Sequence, residues 1–202
     1  MIISLLCLSA EVTLGLGQAA PNEGARTQAT YGTIDWGYHI WTNFFGQVTY
    51  VKGAPFGAEP YLRFMYLDHP EFTRTIVVNN VPITMFLSEA ITSYELGFSR
   101  PMITKPPFHT YWGAGFNGNF CRWERRGWGK DDKKIIDQVT PGLVGFGRAE
   151  WWWKYRAYLE EELTINCIIG LSARFHYMGF RPDVWPCPDW FAVLEGHVGV
   201  RW

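Results

Sequence analysis

The chain of 202 residues contains no long apolar run, and no stretch reaches the roughly 18 apolar residues that a membrane-spanning helix needs. Lys and Arg total 18 against 19 for Asp and Glu, so the chain lacks the basic excess of a nucleic-acid-binding protein. The four cysteines include no CxxC pair and the five histidines show no ligand spacing. The glycine-rich segments do not open helical patterns. We therefore expect no nucleic-acid partner, no metal and no other cofactor.

Lysine is scarce in the segments where apolar and polar residues alternate, and it lies in loops or near the ends of these segments instead. Arginine behaves differently, because Arg63, Arg148 and Arg174 lie inside alternating runs. A sheet with one face in solvent normally carries Lys along that face. Here the polar face holds Gly, Ser, Asn, Arg, Glu and His, which is typical of a packed polar interior.

The alternation is clearest at the carboxy-terminal end of the chain. In residues 191–202, Leu194, Val198 and Trp202 share an apolar face, and Arg201 lies on the opposite polar face. A period of two is the signature of a β-strand, because successive side chains point to opposite sides of the backbone. The chain therefore ends in a strand whose last residue is aromatic.

Seven further segments are predicted as strands, which makes eight in one domain. They cover residues 29–41, 60–67, 74–88, 91–101, 108–122, 141–155 and 163–177. Residues 42–59 are interpreted as an excursion beyond the sheet. Residues 74–88 have an alternative, because Asn79-Asn80 followed by Pro82 would also split them into a tight hairpin. Long connections (42–59, 123–140, 178–189) tend to alternate with short ones (68–73, 102–107, 156–162).

The aromatic carboxy-terminus resembles the closing strand of bacterial outer-membrane β-barrels. Residues 163–202, with Ile169-Gly-Leu-Ser-Ala-Arg-Phe-His-Tyr-Met-Gly-Phe180 and Gly196-His-Val-Gly-Val-Arg-Trp202, resemble the last hairpin of the OmpA-like eight-stranded families. The resemblance implies an all-β fold, a closed antiparallel up-and-down transmembrane β-barrel of about eight strands. It also implies the bacterial outer membrane as location, membrane lipid as neighbour, and other subunits of a membrane assembly as conceivable partners.

A closed barrel places the polar faces of its strands inside. Eight strands leave an interior that side chains just fill, and charges removed from bulk water need partners of opposite sign. The sequence therefore predicts a plugged interior held by Arg–Glu contacts. Its predicted members are Arg63, Glu95, Arg148, Glu150, Arg174, Glu195, His197 and Arg201.

Tryptophan is abundant, with eleven residues that fall near the ends of the predicted strands. An indole ring suits a membrane–water boundary, since it is apolar and its N–H needs a polar partner. We interpret the excess as an aromatic girdle, because the adjacent Trp151, Trp152 and Trp153 cannot all face one interior. The alternative is a soluble or complex-bound secreted β protein that packs these rings inside.

The beginning of the chain resembles a secretory leader. Residues 1–20 combine an apolar Ile2–Leu8 with the small residues Gln18-Ala19-Ala20, although Glu11 interrupts the apolar character. We therefore predict a signal peptide over residues 1–20, a flexible lead-in over 21–28 and the barrel over 29–202. Cys121 and Cys187 lie near the same predicted rim and form a candidate disulfide, with two unpaired cysteines as the alternative.

One segment carries a resemblance to an enzyme. Arg174-Phe-His-Tyr-Met-Gly179 resembles the His-x-Ser-Asn segment of the lipid A 3-O-deacylases, and His176 matches their general base. Met178 stands where that family has its nucleophilic Ser, so no hydroxyl is present for the base to activate. We expect a non-enzymatic barrel with a structural or interaction role through its extracellular loops. A lipid A-modifying acyl hydrolase with His176 as its base remains the enzymatic alternative.

Overall fold

The computed structural model describes residues 10–21, 26–29, 32–35, 41–51, 57–78, 81–126, 133–158, 162–178 and 190–202. Ten β-strands cover almost all of these residues, and every pair of neighbouring strands is antiparallel. The strands are β1 (Ala10–Pro21), β2 (Arg26–Ala29), β3 (Gly32–Asp35), β4 (Trp41–Tyr50), β5 (Glu59–Val78), β6 (Val81–Lys105), β7 (Phe108–Arg126), β8 (Lys133–Tyr158), β9 (Glu162–Tyr177) and β10 (Trp190–Arg201).

Eight of the strands close into a barrel in the order β1-β10-β9-β8-β7-β6-β5-β4, and β2 and β3 form a separate pair. Apart from the closing contact between β1 and β10, each barrel strand neighbours the next barrel strand along the chain. The predicted fold class, an all-β closed antiparallel up-and-down barrel of eight strands, is confirmed. No helix in the described ranges is long and apolar enough to cross a membrane.

The first strand of the barrel is not the predicted one. β1 pairs with β10 through Val12↔Val200 and with β4 through Val12↔Val48. In the segment 29–41, predicted as the first strand, Ala29 and residues 32–35 belong to the separate β2–β3 pair, Trp41 begins β4, and residues 30–31 and 36–40 lie outside the described residues. The barrel boundary at residue 29 is therefore wrong. The prediction fails because the alternating apolar residues of β1 raise the apolar content of residues 1–20, and a high apolar content is also typical of a secretory leader.

Part of the predicted leader thus lies in the barrel wall. Cleavage near Ala20 is incompatible with this barrel, because it would remove β1 and leave β10 and β4 without a shared neighbour. A secretory leader remains a prediction, since residues 1–9 lie outside the described residues.

Further segments differ from expectation: the predicted connections 68–73 and 123–140 lie wholly or largely within β5, β7 and β8, and two other segments change the set of strands. Residues 42–59, interpreted as an excursion, contain most of β4. Residues 74–88 belong to two strands, because Val78 pairs with Val81, and the hairpin alternative is confirmed. The predicted number of strands is right because these changes cancel: β1 and β4 enter the barrel, 29–41 leaves it, and 74–88 is divided between its neighbours.

The barrel has two different ends. At one end, here called the turn end, lie the connections 51–58, 106–107 and 159–161 together with Ala10 and Arg201. The opposite end, the loop end, carries the connections 22–40, 79–80, 127–132 and 178–189. Strands β5 to β8 are 19 to 26 residues long, whereas β1, β4 and β10 have 10 to 12. The longer strands continue past the rim as a four-stranded sheet, here called the loop-end extension.

Burial alternates along the strands of the barrel. Inward side chains are buried, and outward ones are mostly apolar and exposed, such as Leu16 at 67% and Phe116 at 73%. The pattern follows from the pleat, which sends successive side chains to opposite faces. The polar face of each strand therefore lines the interior, and the apolar face forms the outer surface.

Candidate functional site in the barrel interior

All eight residues of the predicted polar network point into the barrel. Seven of them are buried, with at most 4% of the residue exposed, and Arg201 is partly exposed at the turn end. They do not form one network. Their contacts divide them into a central network and a turn-end network at different depths along the barrel axis.

The central network joins four charged side chains from four strands. Arg63 on β5 contacts Glu95 on β6 with Nε 3.3 Å from Oε1, and it also pairs with Glu195 on β10. Arg174 on β9 completes the arrangement, with Nη1 3.0 Å from Glu95 Oε2 and Nε 3.3 Å from Glu195 Oε2. Each arginine thus contacts both carboxylates, and the four charges balance.

Three neutral side chains extend the central network. Asn43 Nδ2 donates to Glu195 Oε1 at 2.7 Å, and Ser172 Oγ donates to Glu195 Oε2 at 2.8 Å. Gln47 Oε1 accepts a hydrogen bond from Arg174 Nη2 at 2.7 Å. Sequence reasoning missed Asn43 and Gln47 because they lie on β4, which was interpreted as an excursion. The alternation of these residues with apolar neighbours is the signal that would have found them.

The turn-end network contains two arginines and three glutamates. Arg148 Nη1 lies 2.6 Å from Glu11 Oε1, and its Nε lies 3.0 Å from Glu150 Oε1. Arg201 Nη2 lies 2.6 Å from Glu59 Oε1, and its Nη1 lies 3.3 Å from Glu11 Oε2. Glu11 therefore bridges the two arginines across the contact between β1 and β10 that closes the barrel.

Two members of the turn-end network were missed by sequence reasoning. The sequence pattern places Glu11 in the predicted leader, where it interrupts the apolar character, and Glu59 in the predicted excursion 42–59. In the structure both are buried and paired with arginine. A glutamate that interrupts an apolar segment is itself a signal, because an inward position in a barrel strand accommodates it and a leader does not.

Histidine and tryptophan side chains complete the turn end. His197 Nε2 lies 3.0 Å from Glu150 Oε1, and Trp152 Nε1 donates to Glu150 Oε2 at 2.8 Å. The His109 ring stacks on Trp152 with ring centroids 3.9 Å apart, and the Arg201 guanidinium lies 4.9 Å from the Trp152 ring. His109 and His197 lie level with Glu150 across the strands, and Trp152 lies two residues closer to the turn end.

An aromatic layer separates the two networks. Tyr61 is the inward residue between Glu59 of one network and Arg63 of the other, and it packs edge-on against Phe146 at 5.4 Å. Arg63 lies 3.6 Å from the centroid of Phe45, on the central side. Because the rings occupy the interior at this depth, the two networks do not share an ion pair among the described residues.

Beyond the central network, the interior turns apolar toward the loop end. The cluster there is almost completely buried and contains Ala19, Met65, Leu67, Ile91, Cys121, Met178, Phe191 and Val193, and Phe45 of the aromatic layer is joined to it. The sequence predicts a polar interior with few apolar inward residues, and it does not predict this apolar cap.

His176, the candidate general base, lies between this cap and the central network. It is fully buried, stacks on Phe191 with ring centroids 4.4 Å apart, and its Nδ1 lies 3.1 Å from Asn117 Nδ2. Met178 is also fully buried, and the Ser172 hydroxyl donates to Glu195. An acyl hydrolase that acts on a membrane lipid needs its base at the outer surface beside a nucleophile. The described residues do not provide that arrangement around His176.

The structure does not test the candidate disulfide between Cys121 and Cys187. Cys121 lies inside the apolar cap, and Cys187 lies outside the described residues, so their pairing stays a prediction. Cys121 and Cys167 are not joined to each other or to another described cysteine. Within the described ranges, no group of three or more His, Cys, Asp and Glu side chains is arranged to hold a metal ion.

The fold and the interior together define a class, the closed eight-stranded antiparallel barrel with an apolar outside and a polar inside. No family model matches the chain, and no curated protein sequence matches it either. Solved structures share the fold, among them the following two. The chain is 12% identical to Neisserial surface protein A (NspA), with a TM-score of 0.50 over 96% of this chain and 97% of that one.

The second solved structure is Ail, the attachment invasion locus protein of Yersinia pestis. The identity is 10% and the TM-score 0.50, over 96% of this chain and 99% of that chain. The suspected resemblance to eight-stranded outer-membrane barrels is therefore confirmed at the level of the fold.

Proposed function

We propose that the chain is a bacterial outer-membrane β-barrel with a closed interior, which serves a structural or interaction role through its loop end. The observation that carries this proposal is that the barrel is polar inside and apolar outside. Ion pairs fill the inside of the barrel, and large apolar side chains cover the outside. A soluble protein has the opposite arrangement.

The outer surface supports a lipid environment. Exposed apolar side chains occur on every barrel strand, including Leu14 and Leu16 on β1, Leu96 on β6, and Leu171 on β9. Soluble monomers rarely expose apolar patches larger than a few hundred Å². The closed ladder also suits hydrocarbon, because a closed barrel leaves no unpaired strand edge within the membrane.

The distribution of connections supports an orientation. The connections at the turn end have at most eight residues, and the loop end carries the two longest connections, residues 22–40 and 178–189, together with the extension. Outer-membrane barrels have short periplasmic turns and longer extracellular loops. The turn end therefore faces the periplasm in this proposal, and the loop end faces the outside of the cell.

Exposed aromatic side chains support a girdle. Trp112, Trp151 and Trp153 are exposed on the outer wall toward the turn end, and Trp190 is exposed at the loop end. Indole rings at two levels of the wall suit the two membrane–water boundaries.

The interior supports a barrel that does not conduct. Two ion-pair networks, an aromatic layer and an apolar cap follow one another along the axis. An eight-stranded barrel leaves room for side chains and not for a wide channel. In planar lipid bilayers, we expect the purified protein to give no stable conductance steps.

The location is tested by expressing the chain in a Gram-negative bacterium and separating soluble and membrane fractions. We expect the protein in the outer-membrane fraction, with a faster-migrating compact species in unboiled samples that disappears on heating. Recovery in the soluble fraction, with one mobility before and after heating, would overturn the proposal.

A further inference from the structure

We propose that two copies of the chain, embedded in two membranes that face each other, pair through the free edge of β5 in their loop-end extensions. This inference rests on the proposed outer-membrane location, with the loop end outside the cell. The protein would then join two cells, or two membrane surfaces, through an antiparallel β-sheet shared by two barrels.

The loop-end extension has two edges that lack a neighbour among the described strands, and these are here called its free edges. β4 pairs with β5 as far as Asp68, and no described strand pairs with the same side of β5 from residue 69 to Val78. At the other side, β9 pairs with β8 only from Leu143 onward, which leaves β8 residues 133–142 without a second described neighbour. The unpaired backbone of a free edge is a template for another strand.

The two edges differ in composition. The β8 edge carries Lys133, Lys134, Asp137 and Pro141. Charged residues, especially Lys, and Pro are the means by which proteins protect edge strands from pairing. The β5 edge begins with His69, Pro70 and Glu71, and its remaining residues 72–78 read Phe-Thr-Arg-Thr-Ile-Val-Val, with one charge, no Pro and five β-branched residues in seven. Only the β5 edge is therefore suited to accept a strand.

The register identifies the backbone groups that are free. Val77 lies opposite Pro82, which has no N–H, so this pair is a non-hydrogen-bonded one and the Val77 amide points away from β6. Hydrogen-bonded and non-hydrogen-bonded pairs alternate along an antiparallel ladder. Thr75 and Thr73 therefore also direct their N–H and C=O groups to the free edge.

This edge is complementary to itself. If two copies pair antiparallel about Thr75, Thr75 lies opposite Thr75 of the other copy, and Thr73 lies opposite Val77. Each of these hydrogen-bonded pairs exchanges two bonds, for about six in total. Arg74 lies opposite Ile76, so the two arginines do not face each other, which like charges on opposed strands would penalise.

The direction of β5 decides where the second copy lies. β5 runs from the turn end to the loop end, so two barrels side by side in one membrane have parallel β5 strands. A two-fold axis along the membrane normal then places each Arg74 beside the other. Antiparallel pairing instead requires the loop ends to face each other. One pair of edges with about six hydrogen bonds binds weakly. Many such pairs between two surfaces hold the surfaces together more strongly, through avidity.

Disulfide trapping tests the register. Three single variants, Thr73→Cys, Thr75→Cys and Val77→Cys, are expressed on cells without long surface polysaccharide and exposed to a mild oxidant. We expect covalent dimers from Thr75→Cys alone, and from mixed cells that carry Thr73→Cys and Val77→Cys, because Cα atoms directly opposite each other lie within disulfide reach. The parent protein, with its native cysteines, gives the background.

Two results of the trapping would overturn the inference. Dimers from each of the three variants alone would indicate parallel pairing within one membrane. Yields at the parent level from Thr75→Cys and from the mixed cells would show that the edge does not bind itself.

Agglutination tests the backbone contact. Cells that express the parent protein are expected to settle faster than cells without it, and Thr75→Pro is expected to abolish the difference. Proline removes only an amide that points to the free edge, so the β5–β6 ladder is retained. Thr75→Val keeps the amide and should settle like the parent. The inference would be contradicted if cells with the parent protein, Thr75→Pro and Thr75→Val settled at the same rate. It would also be contradicted if Thr75→Val slowed settling as much as Thr75→Pro.

Each variant is also checked by membrane fractionation and by its mobility before and after heating. These measurements report the barrel itself, so failure of the proposed location is distinguishable from failure of the edge contact.

Discussion

The central and turn-end networks contain the same kinds of residue, yet they differ in balance and in contact with water. The central network pairs two arginines with two glutamates, and all four side chains have at most 1% exposure. The turn-end network pairs two arginines with three glutamates, and Arg201 has 14% of its side chain exposed. Comparable ion pairs are therefore expected to differ in their effect on stability, because solvent reaches only one of the two networks.

The largest effect is expected for a central carboxylate. Glu195→Ala leaves Arg63 and Arg174 with only Glu95 as a charged partner, in an interior that water does not reach. Breaking a buried pair by removing one partner costs about 3–5 kcal/mol. Urea unfolding in lipid vesicles, followed by tryptophan fluorescence, measures this loss.

Lys154→Gln, at an exposed residue of β8, is the control for that measurement, and its effect is expected within about 0.5 kcal/mol. Equal midpoints for Glu195→Ala and the parent protein would show that the central network does not stabilise the barrel.

An intermediate effect is expected where the aromatic layer meets the wall. A Cβ at Gly15 would overlap with the Gly196 carbonyl oxygen and with the Phe45 ring. Gly15→Ala therefore forces the backbone or the ring to move, at a cost of about 1–3 kcal/mol. The same unfolding experiment compares it with Gly145→Ala, whose Cβ would meet nothing within 4 Å.

Gly145→Ala is expected to have the same urea midpoint as the parent protein. If Gly15→Ala and Gly145→Ala have the same urea midpoint, the aromatic layer accommodates the added methyl group and is not packed as tightly as the structure indicates.

The smallest effect is expected at the turn-end rim. Arg201→Gln removes the charged contacts with Glu59 and Glu11, but Arg201 is partly exposed and water can solvate the carboxylates that remain. We expect a loss of about 1 kcal/mol, which should shrink as salt is added because ions screen exposed charges. A loss as large as that of Glu195→Ala would remove the distinction between the two networks.

The barrel and the inward position of its charges were predictable because they follow from a period of two. Arg63, Glu95, Arg148, Arg174 and Glu195 lie on the polar faces of strands, and an eight-stranded barrel places those faces inside. Where composition competed with the period, prediction failed. β1 has the overall character of a leader, and β4 is interrupted by Gly46 and followed by a glycine-rich segment, so both were missed, together with Glu11, Asn43 and Gln47.

Side-chain alternation is a local property of the backbone, so the order of amino acids is enough to predict β-strands with one apolar and one polar face. Which carboxylate meets which arginine depends instead on how the strands are arranged in the barrel. Glu11 and Arg148 are 137 positions apart in the chain, and Arg63 and Glu195 are 132 apart. These partners meet because strand register and barrel closure bring distant strands to the same depth, and no local pattern in the sequence records that depth.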